Sequence, residues 1–425
     1  MRLLYSALYY CLLPFLVLRL LWRSRLAIAY RQRLPERFGL FSPGPDLDRP
    51  AIWVHAVSVG ETVAAAPLVE SLLRQYPDHR LVMTSTTPTG SERVRALFGD
   101  RVFHVYLPWD LPGCVGRFLA RTRPVLLLIM ETELWPNMVH YSRVAGCRIM
   151  LVNARMSERS ARGYARVEGL TRLMLQQLDV AACQTSNDGK RLLTLGLPPA
   201  ALALTGNIKF DLELSDELRR QATSLRHIFS DQGRLVVVAA STHAGEEALV
   251  LDAYREIRET FGDCLLVLVP RHPERFDDVA QLCQRDGWQV MRRSTGRNPG
   301  ADDDILLGDT MGELLLLLGS ATVAVIGGSL VSAGGHNPLE AVAWGVPVVV
   351  GPHMTNFEDI CQRLISAGAM VQLDRPAGLA PCLIELLGDP ARRQSMGVAG
   401  QRVLADNRGA VARVMTLVAQ QLAGH

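Results

Sequence analysis

The hydrophobic pattern changes character twice along the chain. Leu3 to Leu18 is almost unbroken apolar sequence, with Tyr5, Tyr9 and Tyr10 toward one end and Trp22 at the other; Arg19, Arg23, Arg25, Arg31, Arg33 and Arg37 follow. With Arg19 snorkelling, the run reaches roughly 20 residues, just enough to span a bilayer. The arginine excess behind it predicts that the downstream chain stays cytoplasmic. No small-residue cleavage site follows, so residues 1–25 read as an uncleaved membrane anchor. The alternative is a helix lying in the membrane interface, which Pro14 favours. Arg31 to Phe41 reads as a basic amphipathic segment suited to an anionic lipid surface.

From Pro50 the pattern becomes short apolar runs separated by amphipathic stretches. Ala51–His55, Arg80–Thr84, Pro124–Met130, Arg148–Asn153 and Val180–Gln184 read as buried strands of a parallel sheet with crossover helices. Phe210 to Gln232 is charged and carries no strand signal. A second series follows: Leu235–Ala240, Leu265–Val269, Gln289–Arg292, Ile305–Leu307, Thr322–Ile326 and Val346–Val350, with a long helical region from Pro390 onward. The expected division is an anchor (1–25), a first Rossmann-like domain (26–211), a linker (212–232) and a second Rossmann-like domain with a closing helix (233–425).

In an open parallel sheet, ligands sit beyond the carboxyl ends of the strands. Two such domains facing each other enclose a cleft, the layout of a two-Rossmann glycosyltransferase. No GxGxxG follows a strand, which argues against a dehydrogenase. Composition narrows the picture little further. The chain has 425 residues, 48% hydrophobic and 20% charged, ample for full cores; its net charge of +3 gives no nucleic-acid signal. Eight cysteines are scattered without a CxxC pair or a Cys/His cluster, against a disulfide scaffold or a structural metal. Arginine is the default cation, and the two lysines, Lys190 and Lys209, stand out. A lysine amid arginines marks either a site needing a compact point charge or codon bias.

The chemistry-bearing residues cluster after strands. Ser58-Val-Gly60-Glu61 follows the first strand. Glu61 reads either as a carboxylate complementing a helix start or as a base for an incoming hydroxyl; Ser58 and Gly60 keep the turn small. Thr84–Gly90 offers hydroxyls, among them Thr86, for a sugar or phosphate, or a helix cap. Glu131-Thr-Glu133-Leu-Trp135-Pro-Asn137 leaves the most apolar strand, and Arg155, Arg159 and Lys209 are cations for an anionic donor. In the second half, Ser241-Thr-His243 and Pro270-Arg271-His272 follow strands. Thr310-Met311-Gly312-Glu313 resembles a capping box, and Asn337-Pro338-Leu339-Glu340 places proline at a helix start. These helix starts read either as caps or as phosphate sites, with Glu340 on ribose hydroxyls. The glycines of Gly327-Gly328-Ser329 and Gly334-Gly335-His336 let a nucleotide approach the backbone.

Taken in order, these motifs resemble those of the 3-deoxy-D-manno-octulosonic acid (Kdo) transferases, bacterial enzymes of lipopolysaccharide core assembly. The resemblance runs from the anchor to the helix after Gly351-Pro352-His353. It implies a GT-B fold and transfer of Kdo from CMP-Kdo to a lipid A precursor, without cofactor or metal, at the cytoplasmic face of the inner membrane. It further implies that Glu61 is the base and that Glu131 and Lys209 support the transition state. Pro270, Arg271, Met311, Gly312, Glu313, Asn337, Pro338, Leu339 and Glu340 would contact CMP. Ser58, Gly60, Thr86, Arg155, Ser241, His243 and His272 are further candidate substrate contacts. Two other readings are a UDP-sugar transferase acting on a lipid and a catalytically silent lipid-binding protein on the same fold.

Overall fold

The computed structural model describes residues 1–24, 31–44, 46–230 and 233–423. Arg25, the last two residues of the expected linker (231–232) and the final two residues of the chain therefore lie outside the described residues. The chain divides into two compact units, Met1–Asp211 with Asn407–His425, and Leu212–Asp406.

The first unit is built on seven parallel strands: β1 (Ala51–His55), β2 (Arg80–Ser85), β3 (Phe103–Tyr106), β4 (Pro124–Met130), β5 (Arg148–Ala154), β6 (Val180–Cys183) and β7 (Leu202–Leu204), in the order β3-β2-β1-β4-β5-β6-β7. The second repeats the plan with β8 (Leu235–Thr242), β9 (Cys264–Pro270), β10 (Val290–Arg292), β11 (Ile305–Leu307), β12 (Val323–Ile326), β13 (Val348–Val350) and β14 (Met370–Gln372), in the order β10-β11-β9-β8-β12-β13-β14. In each sheet the strand order reverses once, between β1 and β4 and between β8 and β12. Crossover helices leave in opposite directions there and open a crevice at the strand ends.

The central strands are apolar on both faces because helices cover both. Ile52, Val54, Leu126, Leu128 and Met150 pack on one side of the first sheet, and Trp53, Leu127, Ile129, Ile149 and Leu151 on the other. β3, β7 and β14 have no counterpart among the strands read from the sequence. All three lie at sheet edges and are only three or four residues long, so they carry little periodic signal.

Three expectations are corrected. The linker is largely a helix, Asp216–Phe229, capped by the Ser215 hydroxyl; it buries Ala222, Leu225 and Phe229 in the second unit. Its charge belongs to the solvent face of an amphipathic helix. The closing helix, Ala410–Ala423, belongs to the first unit, where Ala410, Val411, Val414, Met415 and Val418 join the core of Ile52, Leu68 and Leu128. Asp211 fixes its start, accepting from the backbone N–H of Gly409 at 2.6 Å and of Val411 at 2.5 Å. Finally, the basic segment after the anchor is not a free lipid-facing surface. Arg33 donates to Ser91 Oγ and the His104 carbonyl, and the buried Arg37 donates to the Thr86 carbonyl at 2.8 Å and lies over the Tyr106 ring.

Candidate functional site

In the first unit the candidates gather at the sheet reversal. The helix Val59–Gln75 starts directly after β1. Its N-cap is Ser58, whose Oγ accepts from the Glu61 N–H at 3.3 Å. Glu61 answers with its carboxylate: Oε2 accepts from the Val57 N–H at 2.8 Å and Oε1 from the Ser58 hydroxyl at 3.0 Å. This is a capping box shifted by one residue, so the helix-start reading of Glu61 is present in the geometry. It does not exhaust the residue. Burial pushes the Glu61 carboxyl up to about 7; the bond from Val57 opposes this, and the charges of Glu131 and Glu133 reinforce it. A Cβ at Gly60 would meet only Ser58 Oγ, at 3.8 Å, so packing does not demand glycine there; the space beside Glu61 stays open.

Glu131 leaves the end of β4 in the left-handed region, at φ 54°. Lys209 Nζ donates to Glu131 Oε1 at 3.1 Å, in a largely buried ion pair. Lys209 is held by its own turn: Asn207 Oδ1 accepts from the Lys209 N–H at 3.0 Å, and Asn153 Oδ1 accepts from the Ile208 N–H at 3.1 Å. Burial also raises Glu133. Three carboxylates and one ammonium therefore share the crevice between β1 and β4, the arrangement in which burial and like charge raise a carboxyl group's affinity for protons.

The hydroxyl run after β2 divides. Thr87 caps the helix Pro88–Phe98 through its Oγ, and the Thr86 N–H and hydroxyl turn back to the Val57 carbonyl at 3.3 and 3.4 Å. Thr86 thus braces the Ser58–Glu61 turn. Arg155 lies half-buried after β5, and Arg159 is exposed on the helix that follows.

In the second unit, Ser241 sits at φ 59° at the end of β8, and a Cβ on Gly327 would fall 2.4 Å from its carbonyl oxygen. That glycine is required by contact between the ends of β8 and β12, beyond any role toward a ligand. The buried Glu246 joins the same two loops, accepting from the N–H groups of His243, Gly328 and Leu330. Above them His243 Nε2 lies 2.8 Å from His336 Nε2, the rings are stacked, and His272 stands edge-on to His243. Burial, with Arg271 and the other two rings alongside, holds His336 down at about 3. Glu246 has no role assigned from the sequence, and Glu133 and His336 enter there only as members of their motifs. His336 follows a double glycine and Glu133 repeats the carboxylate of Glu131, which were the available signals.

Arg271 follows β9, where its N–H bonds the Thr242 carbonyl. The capping box expected at Thr310–Glu313 is corrected: Glu313 is itself the N-cap of the short helix Leu314–Leu318, and its carboxylate is taken up by Arg293 and the Thr310 hydroxyl. Met311 is exposed and Gly312 left-handed. Pro338 is the N-cap rather than the first residue of Leu339–Val342, with Asn337 Oδ1 accepting from the Leu339 N–H; Glu340 is half-buried in that turn. Among the described residues, no group of three or more His, Cys, Asp and Glu side chains is arranged to hold a metal ion.

Comparison with known proteins matches residues 32–212 to the family model "3-Deoxy-D-manno-octulosonic-acid transferase (kdotransferase)". The chain is 44% identical over 390 residues to the 3-deoxy-D-manno-octulosonic acid transferase of Haemophilus influenzae, covering 92% of this chain and 91% of that protein. It is 40% identical to that of Bordetella pertussis, covering 90% of each. Among solved structures, a putative UDP-N-acetylglucosamine 2-epimerase from Listeria monocytogenes aligns with TM-score 0.56 at 16% identity, over 89% of this chain and 98% of its own. That likeness bears on the fold, paired Rossmann-like units of the GT-B type.

Proposed function

We propose the following reaction for this chain, which belongs to the 3-deoxy-D-manno-octulosonic acid transferase family. Kdo passes from CMP-Kdo to a hydroxyl of a lipid A precursor of the lipid IVA type, with inversion at the anomeric carbon, at the cytoplasmic face of the inner membrane. Glu61 takes the acceptor hydroxyl proton as the oxygen bonds the anomeric carbon. The bond from that carbon to the CMP phosphate oxygen breaks, and CMP leaves with its electron pair.

The observation that carries this reading is the half-buried Glu61 carboxylate, raised to about 7 at the sheet reversal. A base with that affinity is half ionised at neutral pH and still strong enough to accept a proton. The Lys209–Glu131 pair beside it places fixed charge where an oxocarbenium-like centre develops, and preorganised charge in a water-poor site is worth far more than in solution. In the second unit, Arg271 and the histidines beside it are the groups for the CMP phosphate, with Glu340 for the ribose. No step is routed through a metal.

The test is mass spectrometry of the product made from CMP-Kdo and a tetra-acylated lipid A precursor. Acceptor mass increased by whole Kdo units supports the reading and counts the additions. Transfer from a UDP-sugar but not from CMP-Kdo overturns it.

A further inference from the structure

The N-terminal helix, Arg2–Arg23, is long and apolar enough to cross a membrane by length and composition. Two polar residues of its first turns are bonded to the first unit. Arg2 Nη1 donates to Asn137 Oδ1 at 3.0 Å, and its guanidinium lies over the Tyr141 ring. The buried Ser6 accepts from Asn137 Nδ2 at 3.0 Å. Asn137 is buried in turn: its second amide hydrogen reaches the Asp110 carbonyl at 2.7 Å, and its N–H reaches Asp110 Oδ2 at 2.9 Å. Nothing on Asn137 is left unsatisfied, and its partners include the first two turns of the helix.

The two faces of the helix differ. Arg2, Ser6, Tyr9, Leu13, Leu16 and Leu20 are buried or half-buried, whereas Leu4, Leu8, Cys11, Phe15, Leu18 and Trp22 are exposed. These six exposed residues recur at steps of four, three, four, three and four, one continuous apolar stripe, which the exposed Leu3, Leu12 and Leu21 widen.

We propose that this helix does not span the bilayer but lies in one leaflet, latched to the first unit through Asn137, with the Leu4–Trp22 stripe toward the acyl chains. Length decides the matter. Beyond the docked turns, Tyr10 to Arg23 gives about 21 Å of helix, short of the ~30 Å hydrocarbon core. Spanning from Arg2 itself would place Ser24 on the far side, yet Arg33 is bonded back to the first unit at Ser91 and His104. The nine Cα–Cα steps from Ser24 to Arg33 reach about 30 Å only when fully extended, and an extended strand with unpaired backbone and arginines is not tolerated in hydrocarbon. Trp22 suits the headgroup level, and Arg19 can snorkel to it. The inference does not depend on the proposed reaction.

Two polar tags, one before Met1 and one after His425, would be probed by protease in sealed spheroplasts and in inside-out vesicles. Cleavage of both tags in the same preparation supports the proposal; cleavage in opposite preparations overturns it. Leu8→Glu combined with Phe15→Glu should lower the fraction bound to phosphatidylethanolamine–phosphatidylglycerol vesicles about tenfold or more, with the thermal transition unchanged. If instead the double variant keeps vesicle binding and converts a dimer to a monomer, the stripe packs on a second copy and the proposal fails.

Discussion

Replacing Glu61 by Gln separates its two roles. The carboxylate closes a helix start, holding the Val57 N–H at 2.8 Å and the Ser58 hydroxyl at 3.0 Å, and in the proposed reaction it receives the acceptor proton. Glutamine keeps one oxygen for Val57 and turns its amide toward Ser58 Oγ, which can accept instead of donate. The cap therefore weakens by less than about 1 kcal/mol, while the base disappears. Loss of a positioned general base reduces turnover by about 10²–10⁴. In the wild type, a base at about 7 gives kcat/KM a limb that rises with pH, falling tenfold per unit below that value; the limb should vanish in E61Q. The assay is initial rates with CMP-Kdo and lipid IVA between pH 5 and 9. An E61Q enzyme within a few-fold of wild type, or one that retains the limb, refutes the assignment.

Stability gives an independent readout with a fixed sign. The folded Glu61 carboxyl binds its proton more tightly than the ordinary value of 4.5. The resulting stabilisation is complete below pH 4.5 and is lost as pH rises through about 7. Above that, ionised Glu61 is a burden of at most about 3 kcal/mol, reduced by whatever hydrogen bonding glutamine fails to reproduce. E61Q should therefore melt higher than wild type at pH 8, and the difference should close by pH 4.5. Activity and stability moving in opposite directions is expected of a site residue; a variant less stable at both pH values would point to a purely structural cap.

Two further outcomes follow from the same geometry. Lys209→Arg replaces a compact ammonium with a fork in a turn fixed by Asn207 and Asn153; turnover should fall at least about tenfold with an unchanged thermal transition, and full activity would assign Lys209 to codon bias. Glu246→Ala orphans the N–H groups of His243, Gly328 and Leu330, which should destabilise the second unit by about 3 kcal/mol or more in urea unfolding followed by tryptophan fluorescence; a loss under about 1 kcal/mol would remove Glu246 from the scaffold.

The central strands were legible because burial on both faces writes an uninterrupted apolar run; β1, β4 and β11 begin and end where the pattern places them. Three of the four edge strands were not, β10 being the exception, and neither was the amphipathic helix Asp216–Phe229, whose three buried residues keep helical spacing but are too few to stand out among its charges. The return of the last helix to the first unit was illegible for a different reason. It depends on Asp211 capping a helix about two hundred residues later, and no local pattern encodes such a contact. At the site, the residue types and their place after strands were readable. Their couplings were not: the Lys209–Glu131 pair and the His243–His336 contact each join segments 78 and 93 residues apart.

Backbone strain explains why one of those pairs forms. Glu131 at φ 54° and Asn153 at φ 55° stand at the ends of neighbouring strands, both left-handed. Asparagine tolerates that region; glutamate pays about 1–2 kcal/mol there. The conformation persists because the Glu131 N–H still reaches the Val152 carbonyl at 2.9 Å, while the turned Asn153 side chain holds the Ile208 N–H beside Lys209. The two kinks together bring carboxylate and ammonium to 3.1 Å. Substitution tests this directly. Glu131→Ala and Glu131→Gly both delete the pair, but only glycine relieves the dihedral, so the glycine variant should be the more stable by about 1 kcal/mol in urea unfolding. That order is the reverse of the usual preference for alanine over glycine inside regular structure. If alanine proves equal or better, Glu131 is not strained, and the pair must be held by the Lys209 turn alone.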